Sequence, residues 1–426
     1  MKIRIQAQFV DIVNLIVAKG ANFFLTVILF ALISRGMDEH TFGEFGYWWS
    51  MALMFGGMLI GGVSLALVRV VAVSGTLSHL LAPLFRPTMI LLSSIIASFV
   101  LLGLIQPVGS NYAMMFGALA LFGIAVQGQT VVLSLLRAIE ATRANSLATI
   151  VIVVLIPLSM LAMLDEAPRN LTQLFGKLAV AFTLSTAVVL LITRREIGEI
   201  FFQSRSKALG LRDFYANASA FTVVNVFNYA MVNMDFTLFR QIGTEIDFAT
   251  MATAKVFFER FALPALLVFA GAVSMQVFRH HDGVDGKATR LEVRLAPISL
   301  FGMLVVVVGM AVCYKFFAGN IRGNSETISF GWAICSAAGY LFFAANGILF
   351  DVLVFRRRPI FVMLHMAVFL AFGCAVQAVS ISLFGVPGWA VGWLLFNLTV
   401  HVILLREGAE MRFSSRESAS NSTPNS

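Results

Sequence analysis

Charge is scarce in this chain: 12% of its 426 residues are Asp, Glu, Lys or Arg, about half the share of an ordinary soluble domain. That scarcity excludes a water-soluble globular protein. Cysteine is scarcer still, with only Cys313, Cys335 and Cys374, all inside apolar runs, so neither a disulfide framework nor a metal cluster is expected. Catalytic signatures are missing too. There is no His-Glu-x-x-His motif, no glycine loop with a lysine to cradle phosphates, and no polar stretch long enough for a soluble domain. Gly62-Val63-Ser64 is a faint echo of an intramembrane serine protease, but no histidine stands in a convincing partner position. Every outward link is too short to handle the acceptor of a membrane glycan polymerase or ligase. No enzymatic activity, cofactor or metal is therefore expected.

What the chain has is apolar length. Hydrophobic residues make up 59% of it, in runs at about 12–33, 45–68, 88–105, 112–136, 147–164, 171–192, 214–239, 248–278, 295–318, 328–354, 360–384 and 388–405. Runs of this order match the roughly 20 residues that cross a bilayer as a helix. The pattern predicts an all-α, multi-pass membrane protein of about 12 transmembrane helices. The first run holds Lys19 and is followed by no small-residue cleavage site, so it is not read as a cleaved signal peptide.

The net charge of +8 is explained by where the cations fall. With the N-terminus inside, twenty Lys and Arg lie on inward segments, among them Arg194, Arg195, Arg205, Lys207, Arg212 and Arg356 to Arg358. Five (Arg35, Arg169, Arg240, Lys315 and Arg322) lie on outward links. That bias places both termini in the cytoplasm. The basic clusters are topology signals that also touch anionic membrane lipids, and no nucleic-acid partner is expected.

The longest inward link, Arg194 to Arg212, mixes cations with Ile197, Ile200, Phe201 and Phe202, as a segment lying on the inner leaflet would. It divides the chain into a six-helix half at 1–193, a basic cytoplasmic linker at 194–212, a second six-helix half at 213–405 and a disordered tail at 406–426. A shift of 206 residues superposes Asn22 on Asn228, Phe30 on Phe236, Glu39 on Glu245 and Phe42 on Phe248. A parallel repeat of this kind forms substrate sites at the interface between its halves.

Polar residues inside the runs are the candidate site. Asp11, Asn14, Lys19, Asn22 and Thr26 fall within a sector of about 140° on the first helix, and a mid-membrane lysine faces a bundle interior or a wet cavity far more often than lipid. Arg69 sits near the inner end of the second run, where it can snorkel. The glycines Gly56, Gly57, Gly61 and Gly62 are read as close-packing positions. Runs three to six are read as lipid-facing, with Lys177 either facing a cavity or snorkelling outward. The seventh run carries Asn217, Asn228 and Asp235 on one face, with Asn225 flanking; Asp235 stands close enough to the end to be simply solvated. In the eighth run Lys255 and Glu259 are four apart and can neutralise each other, which leaves Arg260 as an unmatched cation.

The residues that carry a resemblance are Ser34-Arg35, then Phe42-Gly43-Glu44-Phe45 and the glycine-rich helix ending in Arg69. This hairpin resembles the first hairpin of bacterial polysaccharide flippases of the multidrug/oligosaccharidyl-lipid/polysaccharide exporter superfamily, although Gly36-Met37-Asp38 stands where that family commonly has Leu-Gly-Pro. The resemblance implies an inner-membrane protein that moves an undecaprenyl-diphosphate-linked oligosaccharide to the outer leaflet for O-antigen, capsule or exopolysaccharide assembly. A glycan polymerase or other assembly proteins would be its partners. On that reading Lys19 and Arg260 hold the diphosphate, Lys255 and Arg69 shape the field, and Asn22, Asn225 and Asn228 meet sugar hydroxyls. Asp235 or Glu259 would carry a coupling proton or sodium ion. Two alternatives stay open: a drug or small-metabolite exporter on the same fold, which should favour buried carboxylates over buried cations, and a non-transporting scaffold of a glycan-synthesis complex.

Overall fold

The computed structural model describes residues 28–30, 32–33, 37–57, 66–67, 111–139, 141–163, 170–202, 211–259, 304–316, 328–356 and 359–420. Among them all regular structure is helical. In chain order the helices are α1 (Glu39–Gly56), α2 (Asn111–Ala138), α3 (Thr142–Met163), α4 (Leu171–Ile192), α5 (Arg194–Phe202), α6 (Leu211–Ile242), α7 (Glu245–Phe257), α8 (Leu304–Phe316), α9 (Phe330–Arg356) and α10 (Pro359–Ser420). Four described segments have the length and apolarity to cross a membrane: Met114–Leu136, Arg143–Met163, Leu171–Ile192 and Phe361–Arg406. The last is two passes, because α10 is broken at Gly385 (φ 60°, ψ −132°) just before Pro387. Glycine tolerates that left-handed backbone and proline has no N–H with which to continue the ladder. Beyond its apolar part α10 runs on to Ser420. The composition of the tail predicts disorder there, but Glu407, Ala409, Glu410, Met411 and Arg412 are good helix formers that extend the turn already set.

Helix starts are fixed by side chains. Asp38 caps α1 through Thr41 N–H to Oδ1 at 2.7 Å, Asn170 caps α4, and Thr244 caps α7 through Asp247 N–H to its hydroxyl at 3.1 Å. Each cap contributes about 1 kcal/mol. The caps of α1 and α7 stand 206 residues apart, the shift read from the sequence. Phe30, Phe42, Phe236 and Phe248, which the same shift pairs, are all buried.

The chain forms two compact units, Met1–Phe236 and Thr237–Ser426. The first is centred on an aromatic cluster of Phe30, Phe42, Phe45, Trp49, Phe122, Phe175 and Phe182, with Trp49 and Phe122 ring centroids 4.6 Å apart. In lipid the hydrophobic effect does not drive helices together, so interlocked rings and close backbone approach carry the packing. Gly56 of α1 and Gly123 of α2 supply that approach: a Cβ on Gly123 would collide with the Ala52 carbonyl oxygen, and one on Gly56 with the Gly123 carbonyl. α2 and α4 are further tied by Gln129, whose amide donates to the Ser185 hydroxyl at 3.1 Å. The amide of Gln127 reaches the Tyr229 hydroxyl of α6 at 2.9 Å. The expectation that these runs are ordinary lipid-facing material therefore holds for the outer stripe of α3, where Leu147, Ile150, Val154, Leu158 and Leu161 are exposed, and fails for the buried glutamines of α2.

Lys177 of α4 donates to the carbonyl of Met163 at the C-terminus of α3. It satisfies an orphan carbonyl at the negative end of that helix dipole. Lys177→Met should lower stability by about 1 kcal/mol, read as a fall in the thermal midpoint in detergent that Lys177→Arg largely restores. In α5 Ile197 is buried while Arg194, Arg195 and Glu199 are exposed, the amphipathic division read for this linker. Its Arg195–Glu199 pair at 3.8 Å is a surface contact of little energetic weight.

In the second unit α9 packs along α10. Trp389 and Trp393 are fully buried, and Gly339 lies so close to Trp393 that a Cβ there would meet the indole Cδ1 at 2.5 Å. Below them a polar chain crosses between the helices. Asn397 donates to the Trp393 carbonyl, Asn346 donates to the Asn397 carbonyl at 3.0 Å, and His401 Nδ1 lies 3.0 Å from Asn346 Oδ1.

Candidate functional site

Among the described residues, the ionisable side chains most deeply placed are Asp235, Lys255 and Glu259, at 0%, 0% and 8% exposure. Lys255 lies in the last turn of α7, and the helix widens into a looser turn at Phe258 and Glu259. Wide turns of this kind recur at functional positions because they re-aim the side chains that follow. The Lys255 ammonium stands 5.9 Å from the ring centroid of Trp393. That cation–π contact returns part of the cost of dehydrating the charge. Around it the second unit supplies an aromatic wall: Tyr340 lies 5.3 Å from Trp393, Phe258 stacks on Tyr340 at 6.4 Å, and Phe257 and Phe258 both lie 5.3 Å from Tyr314. Two buried donors, the Trp393 indole N–H and the Ser336 hydroxyl, have no hydrogen-bond partner among the described residues. A buried ammonium beside an indole N–H of this kind offers donors to an anion, with the buried Glu259 carboxylate one turn on.

The remaining sequence candidates fall as follows. Lys19, Asn22, Arg69 and Arg260 lie outside the described residues. Asn225 stands on α6, and Asn228, two turns before Asp235, is half-buried. Asp235 is not solvated at a helix end, as its position in the sequence suggested. It is fully buried, and its Oδ1 accepts the Phe236 amide N–H at 2.8 Å. Asn225, Asn228 and Asp235 belong to the first unit, whereas Lys255 and Glu259 belong to the second and share one helix.

Sequence reasoning missed Trp393, which faces Lys255 from a helix more than a hundred residues away, and Tyr340, which packs on Trp393. It also missed Gln127, Tyr229 and Asn233 in the first unit, where Asn233 donates to the Tyr229 carbonyl at 2.8 Å. The one available signal was polarity inside an apolar run, at Gln127 and Gln129. His365, by contrast, is bonded within its own helix: Nδ1 lies 2.9 Å from the Phe361 carbonyl one turn back.

No family model and no curated protein matches the sequence. Solved structures do match over nearly the whole chain. An outward-facing multidrug resistance MATE family transporter of the MOP superfamily aligns with a TM-score of 0.69 at 11% identity, covering 96% of each chain. A MOP superfamily transporter from Pyrococcus furiosus, described as having a binding pocket of reverse polarity that suggests a different function, aligns at 0.65 and 10% identity over 95% of this chain and 96% of its own. A MATE transporter of Vibrio cholerae aligns at 0.56 and 13% identity over 96% and 98%. At such identities the likeness is one of fold, and this all-helical chain has the fold of those MATE and MOP superfamily transporter structures.

Proposed function

We propose that the protein is a membrane transporter whose cargo is an anionic, lipid-linked saccharide, in the form of an undecaprenyl-diphosphate-linked oligosaccharide carried across the bacterial inner membrane. The observation that carries this reading is Lys255, a fully buried cation beside Trp393. A membrane protein keeps such a charge where an anion or a gradient uses it. Lys19 and Arg260 would hold the diphosphate by charge-assisted hydrogen bonds, Lys255 and Arg69 would shape the field, and Asn22, Asn225 and Asn228 would meet the sugar. Asp235 or Glu259 would bind the coupling ion as the two repeats alternate access.

A second reading, export of a drug or small metabolite, has its own support. The matched solved structures include multidrug MATE transporters, and Asp235 and Glu259 are buried carboxylates of the type a cationic drug would seek. Native mass spectrometry of the purified protein separates the two. A co-purifying prenyl-diphosphate glycan is the expected result, depleted in a Lys19→Ala, Arg260→Ala double variant. Ordinary phospholipids alone, unchanged by the substitutions, would overturn the flippase reading. Efflux of an organic cation such as ethidium from proteoliposomes would favour the exporter.

A further inference from the structure

Helix α1 has two unlike faces. One carries Phe42, Phe45, Trp49, Ala52 and Gly56 into the core of the first unit. The other carries Glu44, Tyr47, Trp48 and Met54, all half-buried. A lipid-facing helix of this same protein looks quite different: on α3 the exposed side chains are Leu147, Ile150, Val154, Leu158 and Leu161, every one aliphatic. Glu44 stands six residues inside the Asp38 cap and Trp48 ten, which at 1.5 Å per residue is about 9 and 15 Å along the helix. Glu44 and Trp48 stand at the start of the second apolar run, 45–68, and a partly exposed carboxylate there avoids hydrocarbon, so this face meets water or a ligand.

The side chains there are held in a fixed arrangement. The Trp48 indole N–H donates to Glu44 Oε2 at 3.0 Å, which sets the ring plane beside the carboxylate. Tyr47 meets Trp48 at 5.0 Å and Phe116 of α2 meets it at 5.8 Å, both edge-on, so the indole is braced from two sides. Tyr47 itself is steadied by Phe236 at 6.2 Å. A flat aromatic surface next to a directed acceptor complements a pyranose, whose C–H face stacks on the ring while its equatorial hydroxyls donate to the carboxylate.

We infer that Glu44 and Trp48, with Tyr47 beside them, form a saccharide-binding subsite on α1 that takes the sugar portion of the cargo. The inference rests on the flippase reading and deepens it, since it assigns the glycan to residues apart from those that meet the diphosphate. A cationic ligand would also suit an aromatic carboxylate site, and its binding is an outcome of the experiment.

Tryptophan fluorescence of the full-length protein in detergent tests it with three probes. These are oligosaccharides released from the host's own surface polysaccharide, sugar-free undecaprenyl diphosphate, and tetraphenylphosphonium. The expected result is quenching by the oligosaccharides that is absent from Trp48→Phe, and about tenfold weaker binding in Glu44→Gln, whose amide oxygen can still accept from Trp48. Sugar-free undecaprenyl diphosphate should bind the wild type and both variants alike. Equal oligosaccharide affinity in all three proteins overturns the subsite and, where the sugar-free lipid still binds, leaves the flippase reading standing. Binding of tetraphenylphosphonium that Glu44→Gln abolishes, with no binding of either cargo probe, overturns both.

Discussion

Lys255→Met is expected to reduce transport of a lipid-linked glycan in proteoliposomes by at least about tenfold while leaving the protein folded. Transport and folding should separate because they have different physical origins. Lys255 is fully buried, and the several kcal/mol that an ammonium loses on leaving water are offset by its surroundings, among them the cation–π contact of about 2 kcal/mol with Trp393 and the buried Glu259 one turn on. Methionine keeps the length and flexibility of the stem and fills the space beside Trp393 without that penalty. A cation retained against such a cost does something that a neutral side chain cannot. Lys255→Arg keeps the charge but brings a wider, planar head into a tightly packed site, so it should transport at an intermediate rate and unfold earlier. Normal transport by Lys255→Met would remove the buried charge from the mechanism and leave Lys255 a structural residue.

Different parts of the molecule were legible in the sequence to different degrees. The run 171–192 is the helix Leu171–Ile192, because an apolar segment bounded by Asn170 and a basic link has no other way to satisfy its backbone in lipid. The break between the last two passes falls in the gap between the runs 360–384 and 388–405, at Gly385 and Pro387. The repeat was visible as a shift of 206 residues, and the paired caps Asp38 and Thr244 give it a structural counterpart. Long-range polar pairing was not visible. Gln127 and Tyr229 lie 102 positions apart, and a single glutamine in an apolar helix has no period from which its partner can be inferred. Lys177 is a third kind of case: its position near a helix end was readable, but the carbonyl it serves belongs to the neighbouring helix. The candidate site was half legible. Sequence reasoning singled out Lys255, Asp235 and Glu259 by their charge, and missed Trp393 and Tyr340 because aromatic residues in apolar runs are too common to mark a ligand.

Gly123→Leu should destabilise the first unit by about 3 kcal/mol or more and prevent recovery of folded protein at growth temperature. The cause is local and one-sided. Any Cβ at this position drives into the Ala52 carbonyl oxygen of α1, with the Gly56 backbone nitrogen next in line at 3.3 Å. Neither neighbour can give way, since both are helix backbone and the same stretch of α1 carries Phe45 and Trp49 into the aromatic cluster. Gly128, on the same helix five residues on, has open space where a methyl group would stand, with nothing within 4 Å. Gly128→Ala should therefore be neutral or stabilising by up to about 1 kcal/mol through helix propensity alone. Thermal unfolding of the two variants side by side in detergent distinguishes packing from propensity. If both lose stability equally, glycine matters in α2 for flexibility; if only the Gly123 variant collapses, α1 and α2 are held by backbone contact. Gly56→Ala then provides the independent check: Gly56 and Gly123 oppose each other, so combining Gly56→Ala with Gly123→Ala should cost less than the sum of the single changes, because the first substitution already forces the helices apart.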